Sequence, residues 1–258
     1  MRIAAYQFDV TGNIQRNLEM IKRAIQEASV QGVDLLVFPE CAVTGYPPRN
    51  IPDSKAVDHQ MAASALHEIQ ELVDHLGICV IVGTIVYDGA YYNRACFLSP
   101  SNPLKYYDKR ALYGWDEENF ETGTEEGVFQ IGEYKIGVRI CFEVRFPEYF
   151  RELYIAKTDL NVVQMYDVAD EDSKERYEMI RGHLITRAVE NVTPILSVNA
   201  IGPYQTAPTC FIDASGKVLS ECKKQETGML IYEFSKKELN FGEKGRKRYS
   251  DLLLGIEN

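Results

Sequence analysis

The sequence predicts a single α/β domain built from two mixed sheets packed together. Helical and strand patterns alternate along the first part of the chain, a turn signal at Asp88-Gly89 joins two strands, and strands dominate the last third. Strand-helix-strand units form parallel pairs, whereas tight turns form antiparallel hairpins. A chain with both patterns is expected to form mixed sheets rather than one parallel sheet.

The first half of the chain predicts helices between strands, followed by a long loop. Alternating or continuous apolar runs predict strands, and apolar residues spaced three or four apart predict helices. The expected strands are Arg2–Phe8, Val33–Phe38, Ile78–Val86, Tyr91–Leu98 and one ending near Tyr107, and the expected helices are Ile14–Gln31 and Lys55–Leu76. The polar, acidic stretch Asp108–Gly127 is expected to be a loop, and loops longer than about 12–15 residues tend to be functional.

The second half predicts two more helices and a strand-rich end. The expected strands are Val128–Ile131, Lys135–Ile140, Asp159–Met165, Pro194–Asn199, Ala207–Ile212, Val218–Cys222 and Gly228–Phe234, and the expected helices are Pro147–Lys157 and Ser173–Asn191. From about residue 240 we expect a tail, with Gly242–Arg248 basic and exposed. The chain has no tandem repeat and no linker-like segment, so residues 1–258 are expected to form one domain.

Composition and charge exclude several classes of partner. With 258 residues, of which 45% are hydrophobic, the chain can bury a full core. Its 28 basic and 38 acidic residues give a net charge of −10, so it has no long-range attraction to nucleic acid or to an anionic membrane surface. No run approaches the roughly 18 apolar residues of a membrane span, and the amino terminus alternates like a strand. We therefore expect a cytoplasmic protein.

The cysteines and histidines do not predict a metal site. The six cysteines form no C-x-x-C pair, and four of them lie in apolar strand-like runs, as reduced, buried thiols do. His59, His67 and His75 lie on one expected helix without nearby clusters of carboxylate or thiolate ligands. We expect neither a metal nor another cofactor.

Three reactive side chains follow the ends of apolar strands. Glu40 closes LLVFPE, Lys109 follows LKYYD, and Cys141 follows KIGVRI. Taken singly, these residues also fit a solvated carboxylate, an ordinary surface lysine and a buried thiol. Together they fit nucleophilic catalysis, because a cysteine needs a base to form its thiolate and an oxyanion needs a nearby cation or N–H group. Burial near other groups would suit Glu40 to the role of base by raising its pKa.

Four blocks of the sequence resemble the nitrilase, or carbon-nitrogen hydrolase, superfamily. They are GVDLLVFPECAVTGYPP, YYDKRALYGWDEENFETG, IGVRICFEVRFPEYFREL and LITRAVENVTPILSVNAIG. The resemblance covers nearly the whole chain. It implies a four-layer α-β-β-α sandwich that forms a homodimer or a larger homo-oligomer.

The resemblance also implies roles for individual residues. Glu40 is expected to be the general base, Lys109 the residue that stabilises the oxyanion, and Cys141 the nucleophile that forms a thioester. Many members have a second glutamate in the loop after the lysine. Asp116, Glu117 and Glu118 are the candidates here, and we favour Glu117, with a solvated acidic loop as the alternative.

The substrate pocket is expected to be aromatic. Phe142, Tyr113, Trp115 and Tyr166 are the candidate substrate-binding residues, although the same side chains could simply pack in the core. Arg145 is expected to be structural and to pair with a buried carboxylate. The segments Gln164–Tyr166 and Thr206–Thr209 depart from the family pattern, which leaves the substrate open.

The implied activity is hydrolysis of the C–N bond of a small amide or carbamoyl substrate. The order Cys141-Phe142-Glu143 favours an amidase over a nitrilase, which tends to carry Cys-Trp-Glu. TGYPPRN resembles the glutaminase domains of glutamine-dependent NAD synthetases, so supply of ammonia to a partner chain is an alternative. A catalytically silent scaffold of the same fold is the alternative from another class.

Overall fold

The computed structural model describes residues 1–256, which form two six-stranded sheets and their flanking helices. The strands are β1 Arg2–Gln7, β2 Leu35–Val37, β3 Cys79–Tyr87, β4 Tyr91–Leu98, β5 Lys105–Asp108, β6 Val128–Ile131, β7 Tyr134–Ile140, β8 Leu160–Met165, β9 Val168–Ala169, β10 Ile195–Asn199, β11 Tyr204–Gln205, β12 Cys210–Ile212, β13 Val218–Glu221 and β14 Gly228–Glu233. The helices are α1 Ile14–Val30, α2 His59–Leu76, α3 Trp115–Asn119, α4 Pro147–Ile155, α5 Lys174–Asn191 and α6 Phe241–Leu254.

Both large sheets are mixed, and they share one plan. The first has the order β14-β1-β2-β3-β4-β5 and the second β13-β12-β10-β8-β7-β6. Strands β1, β2 and β3 are parallel, as are β7, β8 and β10, and the strands that flank each trio are antiparallel. The predicted mixed sheets in a single domain are therefore confirmed.

Three apolar clusters separate four layers. One contains Ile21 of α1 and the strand residue Val82, so it joins the helices to the first sheet. The second contains Ile3 and Val162 and joins the two sheets. The third contains Val163 and joins the second sheet to α4 and α5. Neighbouring residues such as Val162 and Val163 face different clusters because side chains alternate along a strand.

Polar caps set the helix boundaries. The side chains of Asn13, Asp58 and Ser173 accept hydrogen bonds from backbone N–H groups in the first turns of α1, α2 and α5. Helix α2 ends at Gly77, whose φ of 70° is left-handed and therefore favours glycine. Both signals are visible in the sequence.

The predicted tail forms helix α6, which was not predicted, although five of the seven residues of Gly242–Arg248 are exposed as expected. Asn240 and Glu243 cap its first turn reciprocally. The Tyr154 hydroxyl of α4 donates to Asp251 at 2.5 Å, and Arg246 Nε donates to the Val189 carbonyl of α5 at 3.0 Å. The helix is thus attached to the outer helical layer, although several of its side chains remain exposed.

The predicted loop after residue 108 contains the short helix α3, and a two-stranded sheet of β9 and β11 was not predicted. Both elements have five residues or fewer, which is too short for periodicity to identify. Both lie close to the cavity described next.

Candidate active site

Glu40, Lys109 and Cys141 all follow the carboxyl ends of strands, and the fold brings them together. Glu40 comes three residues after β2, Lys109 directly follows β5, and Cys141 directly follows β7. Lys109 and Cys141 line one cavity of about 180 Å³, and Lys109 Nζ lies 2.8 Å from Glu40 Oε1. The predicted neighbourhood of the three side chains is therefore present in the structure.

Glu40 is fully buried and accepts three hydrogen bonds. Oε1 accepts from Lys109 Nζ at 2.8 Å and from Asn93 Nδ2 at 2.7 Å, and Oε2 accepts from the backbone N–H of Tyr166 at 2.9 Å. Burial raises the pKa of Glu40 above its ordinary value, and Lys109 opposes this rise. A carboxylate that is held in place and has a raised pKa is suited to accepting a proton near neutral pH.

The Glu40 segment also requires a glycine on the neighbouring strand. A Cβ atom on Gly83 of β3 would lie 2.5 Å from the backbone nitrogen of Cys41 and 2.8 Å from the Cα atom of Glu40. Only glycine leaves room for this close approach. The position of Glu40 thus depends on a residue that has no side chain of its own.

Lys109 lies between two carboxylates. Its Nζ atom is 2.8 Å from Glu40 and 2.7 Å from Asp116. Burial alone would lower the pKa of Lys109, but Asp116 and Glu40 raise it well above its ordinary value. The ammonium group therefore stays charged, as a group that stabilises an oxyanion must.

The second acidic residue beside Lys109 is Asp116, not the favoured Glu117. Asp116 is buried and also accepts a hydrogen bond from the Tyr46 hydroxyl at 2.8 Å. Glu117 is exposed, and its carboxylate accepts the Gly114 N–H at the start of α3. Glu118 is exposed as well. The correction follows from α3, which turns successive residues of this stretch in different directions.

Cys141 occupies a strained position at the end of β7. Its φ of 43° is left-handed, a conformation that non-glycine residues seldom adopt outside functional sites. Burial and the nearby Glu40 raise the pKa of the thiol well above its ordinary value, while Lys109 opposes them. The resting sulfur is therefore protonated, and a base is needed to make it nucleophilic.

Glu143 connects the lysine segment to the cysteine segment. Its fully buried carboxylate accepts hydrogen bonds from Arg110 N at 2.8 Å, from Ile140 N at 2.7 Å and from the Tyr107 hydroxyl at 2.7 Å. Arg110 follows Lys109 and Ile140 precedes Cys141. One carboxylate thus fixes the backbone next to two of the three site residues.

All four predicted aromatic residues line the cavity, together with three arginines that the sequence did not single out as ligands. The lining residues are Tyr46, Arg49, Lys109, Tyr113, Trp115, Asp116, Cys141, Phe142, Val144, Arg145, Met165, Tyr166, Asp167, Val168, Arg176 and Ile180. Tyr166 stacks on Tyr46, with 5.1 Å between ring centroids, and Phe142 stacks on Tyr113 at 6.0 Å. Tyr166 both packs in the core and lines the cavity, whereas Tyr113 and Trp115 are exposed at its rim.

The segments that depart from the family pattern support the site. Gln164 Nε2 donates to the Phe38 carbonyl at 2.5 Å, close to Glu40. The Thr206 hydroxyl donates to Asp167, and Asp167 binds both Arg176 Nε and Nη2 at 2.8 Å. No local pattern in the sequence predicts these contacts, because they join residues far apart in the chain.

Within residues 1–256, no helix is both long and apolar enough to cross a bilayer. The same residues contain no group of three or more histidine, cysteine, aspartate or glutamate side chains placed to hold a metal ion.

The fold and the site define the class of protein: an α/β enzyme with a buried glutamate, lysine and cysteine at the strand ends. A family model described as carbon-nitrogen hydrolase matches residues 2–240. The chain therefore belongs to the carbon-nitrogen hydrolase family, and its neighbours place it in the amidase-like branch of the nitrilase superfamily. The alternative of a catalytically silent scaffold is not supported.

Individual relatives agree with this assignment. The 2-oxoglutaramate amidase of Bacillus subtilis is 26% identical over 234 residues, which cover 87% of each chain. The glutamine-dependent NAD(+) synthetase of Thermotoga maritima is 34% identical over 159 residues, or 57% of this chain. That alignment spans only 26% of the synthetase.

A solved structure of similar fold is the amidase from Nesterenkonia sp., with 25% identity and a TM-score of 0.79 over 90% of this chain and 89% of that one. A cysteine-to-alanine variant of that amidase has been solved in complex with butyramide. A glutamate-to-glutamine variant shows covalent addition of the acetamide moiety of fluoroacetamide at the active-site cysteine.

We predict that Asp116→Asn slows turnover, whereas Glu117→Gln does not. Asp116 contacts Lys109, so losing its charge weakens the placement of the ammonium group and should lower kcat roughly 10- to 100-fold. Glu117→Gln changes an exposed residue of the same helix and should keep kcat within about twofold. Steady-state ammonia release measures both. A larger loss in Glu117→Gln would restore Glu117 as the second acidic residue.

We predict that Glu143→Gln lowers kcat more than it raises KM. The glutamine amide would present N–H donors to backbone N–H groups, which should displace Lys109 and Cys141 and cost about 1–3 kcal/mol of unfolding free energy. The exposed Glu148→Gln is the matched control. Kinetics and urea unfolding are measured on both variants. A Glu143→Gln protein that is less stable but has the wild-type kcat would show that Glu143 does not position the site.

Proposed function

We propose that this enzyme hydrolyses the C–N bond of a small linear amide through a thioester on Cys141. The observation that carries the proposal is the buried Lys109–Glu40 contact of 2.8 Å at a cavity that Cys141 also lines. This arrangement contains a nucleophile, a base and a cation. Small amides also fit the relatives, among which are a 2-oxoglutaramate amidase and an amidase solved with butyramide.

The first half of the reaction forms the acyl-enzyme. Glu40 accepts the Cys141 proton as the sulfur attacks the amide carbon, and the C=O electron pair moves onto oxygen. Lys109 and the backbone N–H of Phe142 stabilise that oxyanion. When the oxyanion collapses, the C–N bond breaks, and the proton held by Glu40 passes to the leaving nitrogen. Ammonia departs and a thioester remains.

The second half restores the enzyme. Glu40 accepts a proton from water as the water oxygen attacks the thioester carbon. The C–S bond breaks, Cys141 regains a proton, and the carboxylic acid leaves. Glu40 thus serves as base in both halves, which requires its carboxylate to be ionised before each attack.

Two other reactions at the same site remain as alternatives. Similarity to glutamine-dependent NAD(+) synthetases supports glutamine as the substrate, with the ammonia passed to a partner chain. A nitrile would also accept thiolate attack. Glutamine and small nitriles therefore belong in the same assay as the amides, and the preferred substrate is the one with the highest kcat/KM.

Intact-mass spectrometry with ammonia assays tests the proposal. Wild type, incubated briefly with small amides, should release ammonia and show an acyl mass increment. Cys141→Ala should show neither, while Cys79→Ala, which removes a half-buried thiol elsewhere, should behave as wild type. Ammonia release by Cys141→Ala at the wild-type rate would exclude Cys141 as the nucleophile.

The pH dependence should report Glu40. Activity requires the ionised carboxylate, so kcat/KM should fall as the pH drops through a pKa above the ordinary value of 4.5. Asn93→Ala removes a hydrogen bond that stabilises the ionised form, so the acid limb should move to higher pH. A limb that stays in place or moves to lower pH would contradict Glu40 as the base.

We also propose a homodimer in the cytoplasm. The carboxyl-terminal helix exposes Tyr249, Leu252 and Leu253, and an apolar face of this kind suits self-association. The six free cysteines are consistent with a reducing compartment. Sedimentation of the purified chain measures its oligomeric state.

A further inference from the structure

Cationic side chains are concentrated around the cavity although the chain is acidic. The chain carries a net charge of −10, yet the cavity is lined by four cationic residues, Arg49, Lys109, Arg145 and Arg176, and by only two acidic ones, Asp116 and Asp167. A neutral amide needs no cation beyond the one that stabilises its oxyanion.

Three of the four cations already have carboxylate partners. Lys109 contacts Glu40 and Asp116, as described above. Arg176 uses Nε and Nη2 for Asp167, both at 2.8 Å. Arg49 Nη1 lies 2.5 Å from Asp170. Each of these groups thus has at least one carboxylate contact before a substrate arrives.

Arg145 is different, and the predicted pairing with a buried carboxylate is wrong. Within residues 1–256, ion pairs closer than 4.0 Å connect the other cavity cations to carboxylates but leave the Arg145 guanidinium without one. Its carbon lies 5.4 Å from the centroid of the Phe142 ring. An arginine packed against an aromatic ring can still donate from the N–H groups in the plane of its guanidinium.

The backbone at Arg145 is fixed by a second arginine. The buried Arg187 donates from Nε to the Val144 carbonyl at 2.9 Å and from Nη2 to the Arg145 carbonyl at 3.2 Å. Arg145 also ends the turn that begins at Cys141. The backbone that carries the Arg145 guanidinium is therefore held in a defined relation to the nucleophile.

We propose that Arg145 binds a carboxylate at the far end of the substrate, so that the enzyme acts on the ω-amide of a small dicarboxylic acid. This inference rests on the proposed amidase function. The guanidinium fork matches a carboxylate in a bidentate manner. A cavity of about 180 Å³ admits a ligand of roughly six to ten non-hydrogen atoms, since a 150 Å³ cavity holds benzene.

A matched pair of substrates tests the charge alone. 5-Amino-5-oxopentanoate carries the amide and a carboxylate, and 5-methylhexanamide replaces the carboxylate with an isopropyl group of the same shape. Wild type should prefer the anionic amide by about tenfold or more in kcat/KM, because a hydrogen bond to a charged group has that effect. The preference should weaken as the salt concentration rises.

Arg145→Gln should remove most of this preference. We expect kcat/KM for the anionic amide to fall roughly 10- to 100-fold, mainly through KM, and kcat/KM for the neutral amide to change much less. Arg145→Lys keeps the positive charge but loses the forked guanidinium, so its kcat/KM for the anionic amide should lie between the values of wild type and Arg145→Gln. Arg49→Gln is the matched control, since it removes a cavity arginine that is already paired.

The outcomes separate this inference from the proposed function. Equal kcat/KM for the two amides, or loss of the preference in Arg49→Gln instead of Arg145→Gln, overturns the inference and leaves the amidase function standing. The rate of iodoacetamide labelling at Cys141 relative to the other five cysteines, followed by mass, shows whether each variant retains the site. If wild type is labelled at Cys141 but hydrolyses neither of the two amides, only the inference about Arg145 is overturned. If wild type is not labelled and releases no ammonia from any amide of the panel, the inference and the proposed amidase function are both overturned.

Discussion

The structure depends on a lysine held between two carboxylates in a water-poor interior. Lys109, Glu40 and Asp116 are all buried, and their formal charges sum to one negative charge beside Cys141. Burying charge is costly unless the groups are paired and hydrogen-bonded, and removing one partner leaves the others uncompensated. Asn93, the Tyr166 N–H and the Tyr46 hydroxyl supply the remaining hydrogen bonds. The cluster can exist only because β2, β4, β5 and β8 end or pass close to one another.

That requirement explains the two-sheet plan. Glu40 and Lys109 come from the first sheet and Cys141 from the second. The apolar cluster between the sheets therefore sets the distance between base and nucleophile. Glu143 adds a direct polar connection, because it joins backbone groups beside Lys109 to backbone beside Cys141. Packing between the sheets sets the approximate positions of the site residues, and the hydrogen bonds of the Glu143 carboxylate fix them more closely.

Much of this could be predicted from the sequence, and the failures have physical reasons. Periodicity located most strands and helices, and the strand ends indicated Glu40, Lys109 and Cys141, because a reactive side chain after an apolar run is locally visible. The choice between Asp116 and Glu117 was not visible, since it depends on how a five-residue helix is oriented. The hydrogen bond from the Tyr166 backbone N–H to Glu40 could not be predicted either, because a backbone group is the same for almost every residue type. Helix α6 was not predicted because its many basic residues suggested an exposed tail, although Asn240 and Glu243 form a helix cap.

The protonation state of Cys141 has a consequence for selectivity. Its raised pKa favours the thiol at rest, so the proton leaves the sulfur as the sulfur attacks a bound electrophile. A resting thiolate would react with any passing electrophile, whereas a thiol reacts only with a molecule that the cavity holds near Lys109. A ligand that is anchored at the far side of the cavity brings its carbonyl to the sulfur. Binding of the remote end of the substrate is therefore coupled to activation of the nucleophile. Selectivity in such a site comes from the cavity walls, and among these the guanidinium of Arg145 has donors to spare.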